Sequence, residues 1–179
     1  MILRPSGIFR CVAYIDASFS AHPDGKSHSG AVILVGGVAV YFGSRKQKCV
    51  SKSPTEAELV ALSDNLALVE LFSEFVAFVT DSKEIKPVIY QDSTSVITMV
   101  TEGGGAVRTK HMRTRMHLVL EAVRQNRAEI RYIGTKGMKA DGLSKSLEGL
   151  DFVKFRSEVL NLTNCTGNQR SPYLLSNLG

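Results

Sequence analysis

The strongest constraint on the fold of this chain is a change of hydrophobic period after residue 53. Before it, apolar residues come in runs of strand length. CVAYIDASF at 11–19 is one strand, and AVILVGGVAVYF at 31–42 is cut by Gly36-Gly37 into two more, at about 30–35 and 38–43, joined by a two-residue turn. After it, Leu59, Leu62, Leu66, Val69, Phe72, Val76 and Val79 recur in steps of three and four, which marks one long amphipathic helix over 54–79. PVIYQD at 87–92 and AEIRYIG at 128–134 read as a fourth and a fifth strand. Further helices are predicted at 93–100, at 109–126, from near Asp141 through Leu143, Leu147 and Leu150, and at 152–160. The first three strands are close enough to pair as an antiparallel meander. The helix-linked strands return by right-handed crossovers and therefore pair in parallel. The expected fold class is α/β, a mixed five-stranded sheet with helices packed on it. Residues 1–10 read as an N-terminal extension, 11–160 as the domain, and 161–179 as a polar, turn-rich, disordered tail.

Composition narrows the function classes. The 179 residues are 44% hydrophobic and 22% charged, enough for one real core. The longest apolar run is too short to span a bilayer, and MILRPSGIFR lacks the apolar stretch of a signal peptide, so no membrane partner is expected. Cys11, Cys49 and Cys165 stand far apart with no CxxC pair, so neither a zinc knuckle nor a disulfide framework is indicated, and a reducing, intracellular compartment is expected. His22, His28, His111 and His117 have no HExxH spacing and read as surface or structural, with His111 set among basic residues. The net charge of +5 suggests a polyanionic partner only where the charge clusters.

The start of the long helix, SKSPTEAELVALSDN at 51–65, holds two glutamates two positions apart. Ser53 is a good N-cap, and Pro54 falls at the first helical position, where its missing N–H costs nothing. Glu56 is then placed to reach back to the cap N–H in a capping box, which is a sufficient structural role. Glu58, beside the apolar stripe, is either a solvated flank or a site residue.

Two aspartates bear on that choice. Asp16 interrupts the apolar strand VAYIDASF, and Asp92 ends VIYQD. An acid in such a strand is unfavourable unless its charge is compensated. If the two strands are parallel neighbours, these acids meet at one end of the sheet, where sites form in α/β folds. Asp141 starts a helix and is either an N-cap or a fourth member of the group. Four converging carboxylates would repel. Hard divalent cations, Mg²⁺ or Mn²⁺, are the natural remedy, and two such ions can clamp the attacking and leaving oxygens of a phosphodiester.

The blocks YIDASF, SGAVILVGG, SRKQKCVSKSPTEAELVALS, PVIYQDSTSVI, RTKHMRTRMHLVLEAV and KADGLSKSL resemble, in order, the ribonuclease H domain of copia-type retrotransposon Pol polyproteins. The resemblance covers about 11–160 and implies the ribonuclease H-like fold. It implies an Asp-Glu-Asp-Asp metal site with two ions, formed by Asp16, Glu58 rather than Glu56, Asp92 and Asp141. It implies endonucleolytic hydrolysis of the RNA strand of an RNA–DNA hybrid, leaving a 3′-hydroxyl and a 5′-phosphate, as part of retrotransposon reverse transcription. The reverse transcriptase portion of the same element is the implied partner, in a cytoplasmic retroelement particle or in the nucleus. Many ribonucleases H carry a histidine in the loop before the last aspartate. Here that loop is GTKGMKA, which implies altered turnover rather than inactivity. The chain resembles a C-terminal piece of such an element.

Two basic clusters are candidate nucleic-acid contacts. One is Arg45, Lys46, Lys48 and Lys52, and the other is Arg108, Lys110, Arg113 and Arg115, with His111 among them. Each would neutralise phosphates and make affinity salt-dependent. The chain has no tryptophan, so base stacking should not dominate, which suits reading a hybrid through its backbone and 2′-hydroxyls. Thr55 and Thr94, near Glu58 and Asp92, are candidate sugar contacts. The rival readings are a non-catalytic ribonuclease H-like binding module and a relic retroelement fragment.

Overall fold

The computed structural model describes residues 9–82, 85–103 and 109–160. The elements follow as β1 (Cys11–Ser18), β2 (His28–Val35), β3 (Val38–Lys46), α1 (Pro54–Val79), β4 (Val88–Gln91), α2 (Thr94–Glu102), α3 (Lys110–Arg124), β5 (Glu129–Tyr132), a single 3₁₀ turn (Thr135–Gly137), α4 (Asp141–Ser144) and α5 (Gly149–Val159). They form one five-stranded sheet in the order β3-β2-β1-β4-β5. β1, β2 and β3 pair antiparallel, while β4 lies parallel to β1 and β5 parallel to β4. The mixed sheet expected from the order of elements is therefore the one found.

Alternation along β1 sorts its side chains onto two layers. Cys11, Ala13 and Ile15 face the larger core, with Leu59, Leu62, Leu66 and Val69 of α1 and Met112 and Val119 of α3. Val12 and Tyr14 face the smaller core, where Val32 and Leu34 pack with Leu143 of α4 and Phe155 and Val159 of α5. Each fully buried Leu or Ile of the larger layer contributes on the order of 1.5–3 kcal/mol relative to exposure. Between β2 and β3, Gly36 and Gly37 have φ of 58° and 82°. Positive φ at both central residues is what a tight two-residue hairpin turn requires.

Four boundaries differ from expectation. β2 starts at His28 and β3 runs on to Lys46, because His28 pairs with Lys46 and Ser29 with Arg45. The polar SRK run falls beyond the strand expected at 38–43, but β3 is an edge strand with an open face, where charged residues are favoured. α2 extends to Glu102 and closes on left-handed Gly103. The helix starting at Asp141 is a single turn that ends at Ser144, and Lys145 is extended. Leu147 lies outside it, and Leu150 is 85% exposed near the start of α5. The leucine spacing that suggested one longer helix thus spans two separate elements. Among the described residues, no helix is long and apolar enough to cross a membrane. The N-terminal extension up to residue 8, the tail from residue 161 with Cys165, and Arg108 lie outside the described residues.

Candidate metal and nucleic-acid site

The two glutamates of α1 separate as their helix positions require. Ser53 is the N-cap, and its Oγ accepts from the Glu56 N–H at 3.2 Å. The Glu56 carboxylate reaches back, but its Oε2 accepts from the Lys52 N–H at 2.8 Å rather than from that of Ser53. The cap closes one residue earlier than the capping-box pattern predicts. Glu58, half a turn on, points into the molecule and is 8% exposed.

Register builds the rest. Tyr14 of β1 stands opposite Tyr90 of β4, so continuing both strands by two residues brings Asp16 level with Asp92. Glu58 approaches the same edge from α1: its Oε1 accepts from the Ala17 N–H at 3.1 Å and its Oε2 from Gln91 Nε2 at 3.2 Å. One carboxylate oxygen from each of Asp16, Glu58 and Asp92 lies within 4.8 Å of the others. Asp16 is 2% exposed and accepts a hydrogen bond from the Ser144 hydroxyl. Asp92 is half-buried and accepts from Thr135 Oγ1 at 3.3 Å.

Burial and mutual repulsion dominate the electrostatics. Glu58 is pushed up to about 8, first by burial and then by the charge of Asp16, against the stabilising bond from Ala17. Asp16 is raised above the ordinary carboxylate range, again first by burial, with the Ser144 hydroxyl and the Lys145 charge pulling the other way.

Asp141 departs from expectation. It is not the N-cap: Ala140 holds that position in helical geometry, with no side-chain cap bond. Nor does it join the tight group of three. Its carboxylate pairs with Lys145 one turn later, yet its charge still bears on Asp16. Lys145 is partly desolvated, which lowers its proton affinity, but its bond to Asp141 and the charges of Asp16, Asp141 and Asp92 raise it overall.

Several contributors were not anticipated. Gln91, Ser144 and Lys145 contact the acids, and Gly30 makes room for α4. A Cβ on Gly30 would lie 2.6 Å from the Ala140 carbonyl oxygen and 2.7 Å from the Ser144 nitrogen. Only the absent side chain lets α4 press against β2 and lay Ser144 on Asp16. Ser44 Oγ donates to the Leu143 carbonyl at 2.8 Å and is itself bonded to His28 Nε2 at 2.8 Å, so His28 has a structural place.

The basic residues form one cleft and a scattered margin. Gln47 turns inward, and its Nε2 donates to Ser29 Oγ at 2.9 Å and to the Ala57 carbonyl at 2.8 Å. Its neighbours Lys46 and Lys48 consequently face outward. Arg45, Lys46 and Lys48 share a cleft with Arg115 of α3, so the two clusters partly merge. Arg115 also pairs with Asp64, and Lys46 with Asp24 at 2.9 Å. Such exposed pairs are worth about 0–1 kcal/mol, so a phosphate can compete for them. Lys52, Lys110, His111 and Arg113 are exposed outside that cleft. Thr94 is exposed at the start of α2, and Thr55 is half-buried in the first turn of α1.

Comparison with known proteins places this architecture. RNase H1 from the halophilic archaeon Halobacterium salinarum NRC-1 matches at a TM-score of 0.55 and 20% identity, over 75% of this chain and 94% of that one. LC11-RNase H1, solved in complex with an RNA/DNA hybrid, matches at a TM-score of 0.57 and 16% identity, over 75% and 93%. The described domain has the ribonuclease H fold, with acids gathered at the edge where β1 and β4 end. No family model matches the chain. It is 32% identical over 134 residues to the retrovirus-related Pol polyprotein from transposon TNT 1-94 of Nicotiana tabacum, covering 74% of this chain and 10% of that protein. The chain belongs with the retrovirus-related Pol polyproteins of transposons, of which it carries the ribonuclease H-like domain. It spans about a tenth of the length of the curated relatives it matches.

Proposed function

We propose that this chain is a divalent-cation-dependent endonuclease that cuts the RNA strand of RNA–DNA hybrids, beside the reverse transcriptase portion of a copia-type element. The observation that carries the reading is the convergence of Asp16, Glu58 and Asp92 within 4.8 Å, with two of the three buried. A fold gains nothing from packing three acidic groups into a poorly solvated edge, where burial and mutual repulsion disfavour their ionised forms, unless a cation is to be held there. The donors are all oxygen, which suits Mg²⁺ or Mn²⁺. Asp141 would be the fourth ligand in this reading, beside the group of three and with Lys145 as its partner in the chain itself. Two bound ions would supply the positive charge that activates a water and stabilises the leaving 3′ oxygen.

The chain's own residues do the rest. Arg45, Lys46, Lys48 and Arg115 grip the hybrid's phosphates, with Lys52, Lys110, His111 and Arg113 extending the track and Thr55 and Thr94 reaching the sugars. Water adds to phosphorus and the P–O3′ bond breaks, leaving a 3′-hydroxyl and a 5′-phosphate. The test is a strand-labelled RNA–DNA hybrid incubated with Mg²⁺, with RNA–RNA and DNA–DNA duplexes as controls. The RNA strand of the hybrid alone should be cut, and a chelator should stop it. Binding without cleavage would favour the non-catalytic module.

A further inference from the structure

Gln91 is fully buried, at 0% exposure, on the last residue of β4. Its packing neighbour on the same strand face, Ile89, is apolar and equally buried, so the position itself does not call for a polar side chain. A buried carboxamide is unfavourable unless its groups are bonded. Here both ends are used, and both touch the acid cluster. Gln91 Oε1 accepts from the Asp92 N–H at 3.1 Å. An N–H can be met only by the oxygen end, so the NH₂ end must turn toward Glu58, whose Oε2 it reaches at 3.2 Å. The other Glu58 oxygen is held by the Ala17 N–H at 3.1 Å. Both oxygens of Glu58 are therefore pinned from outside the cluster, and the carboxylate plane cannot rotate freely.

Resting on the metal-site reading above, we propose that Gln91 is a positioning residue for divalent-cation binding, fixing the Glu58 carboxylate so that its remaining lone pairs face Asp16 and Asp92. The side-chain type fits the task. An ammonium or guanidinium at this place would neutralise the charge that holds a cation, and a carboxylate would repel Glu58. A carboxamide orients the ligand and leaves the site's charge unchanged. Residues that hold a ligand from behind in this way typically govern cation affinity by about 10–100-fold when removed.

The experiment measures Mn²⁺ binding by electron paramagnetic resonance on the full chain without nucleic acid. Four proteins are compared: the parent, Gln91→Met, Gln91→Asn and Glu58→Gln. Gln91→Met keeps length and bulk but cannot donate, and Gln91→Asn keeps the amide but cannot reach. Both should weaken Mn²⁺ binding about tenfold or more, with the far-ultraviolet circular dichroism of the parent, and hybrid cleavage should return at high Mn²⁺. Binding within twofold of the parent by either folded variant overturns the proposal, and loss of binding in Glu58→Gln in the same series leaves the metal site standing. A parent that binds no Mn²⁺ overturns both. If neither Gln91 variant folds, the residue belongs to the core alone and the proposal fails.

Discussion

The carboxylate of Glu58 accepts a hydrogen bond at 3.1 Å from the backbone N–H of Ala17, the residue that follows Asp16. A helix side chain is thereby tied to the strand backbone beside the acid that repels it most. Backbone geometry, rather than any attraction between the carboxylates, brings the two together.

That arrangement makes stability pH-dependent. The ordinary value for Glu58 is 4.5, and burial pushes it to about 8. Between those values the folded chain keeps a proton that the unfolded chain has released. The stability this group allows is fully present below about pH 4.5 and is lost as pH rises through about 8. The unfolding free energy of the chelator-treated protein should fall from pH 5 to pH 8 by on the order of a few kcal/mol, and its melting temperature should fall with it. Glu58→Gln should flatten the part of that slope due to Glu58, leaving the part due to Asp16, which is raised in the same direction. Thermal melts across the range check this, and an unchanged slope in Glu58→Gln would contradict it.

The acids were legible in the sequence for the same physical reason that they are costly in the fold. Asp16 and Asp92 stood out because a charge inside VAYIDASF or at the end of VIYQD needs compensation. Glu58 emerged because Glu56 already had a capping role. Gln91 and Ser144 were silent. Neutral polar residues are ordinary anywhere, and their partners lie 33 and 128 positions away, beyond the reach of local patterns. The Asp141–Lys145 pair has the i,i+4 spacing of an ordinary solvated surface pair, and nothing in the local pattern sets it apart from one. The charged end of β3 was missed because composition cannot tell an exposed edge strand from a loop.

Glu56 should matter for stability alone. Glu56→Ala removes the bond that its carboxylate accepts from the Lys52 N–H and should cost about 0.5–1 kcal/mol, with cleavage retained at low temperature. Glu56→Gln keeps an acceptor and should stay close to the parent. Chemical denaturation with a cleavage assay on the same samples separates the two effects.

Gly30→Ala should act at a distance on Asp16. The added Cβ meets backbone atoms of Ala140 and Ser144, which cannot swing aside as a flexible side chain would. α4 must shift, at about 1–3 kcal/mol for overpacking, and the Ser144 hydroxyl leaves Asp16. Ser144→Ala removes the hydroxyl alone. Both variants should show reduced cleavage, but only Gly30→Ala should lose much stability. Equal melting temperatures for the two would place α4 further from β2 than this account has it.

Arg115 lines the cleft with Arg45, Lys46 and Lys48, and Arg113 is exposed outside it. Replacing Arg113 and Arg115 together by Ala should weaken hybrid binding and reduce the log–log salt slope by up to about 2. Most of the change should come from Arg115. Titrations at several salt concentrations give the slopes, and an unchanged slope in the double variant would assign these residues to solvent or structure.

The measurement that bears most directly on the whole account is single-turnover cleavage of a labelled RNA–DNA hybrid in Mg²⁺ by the parent, Glu58→Gln and Glu56→Gln. Glu58→Gln preserves size and can still accept one of the two hydrogen bonds that Glu58 accepts, but removes the charge that faces Asp16 and Asp92, so cleavage should disappear while the fold remains. Glu56→Gln should cut at close to the parent rate, with 3′-hydroxyl and 5′-phosphate ends. Cleavage lost in Glu56→Gln and kept in Glu58→Gln would put the reaction on the other glutamate and contradict the site described here.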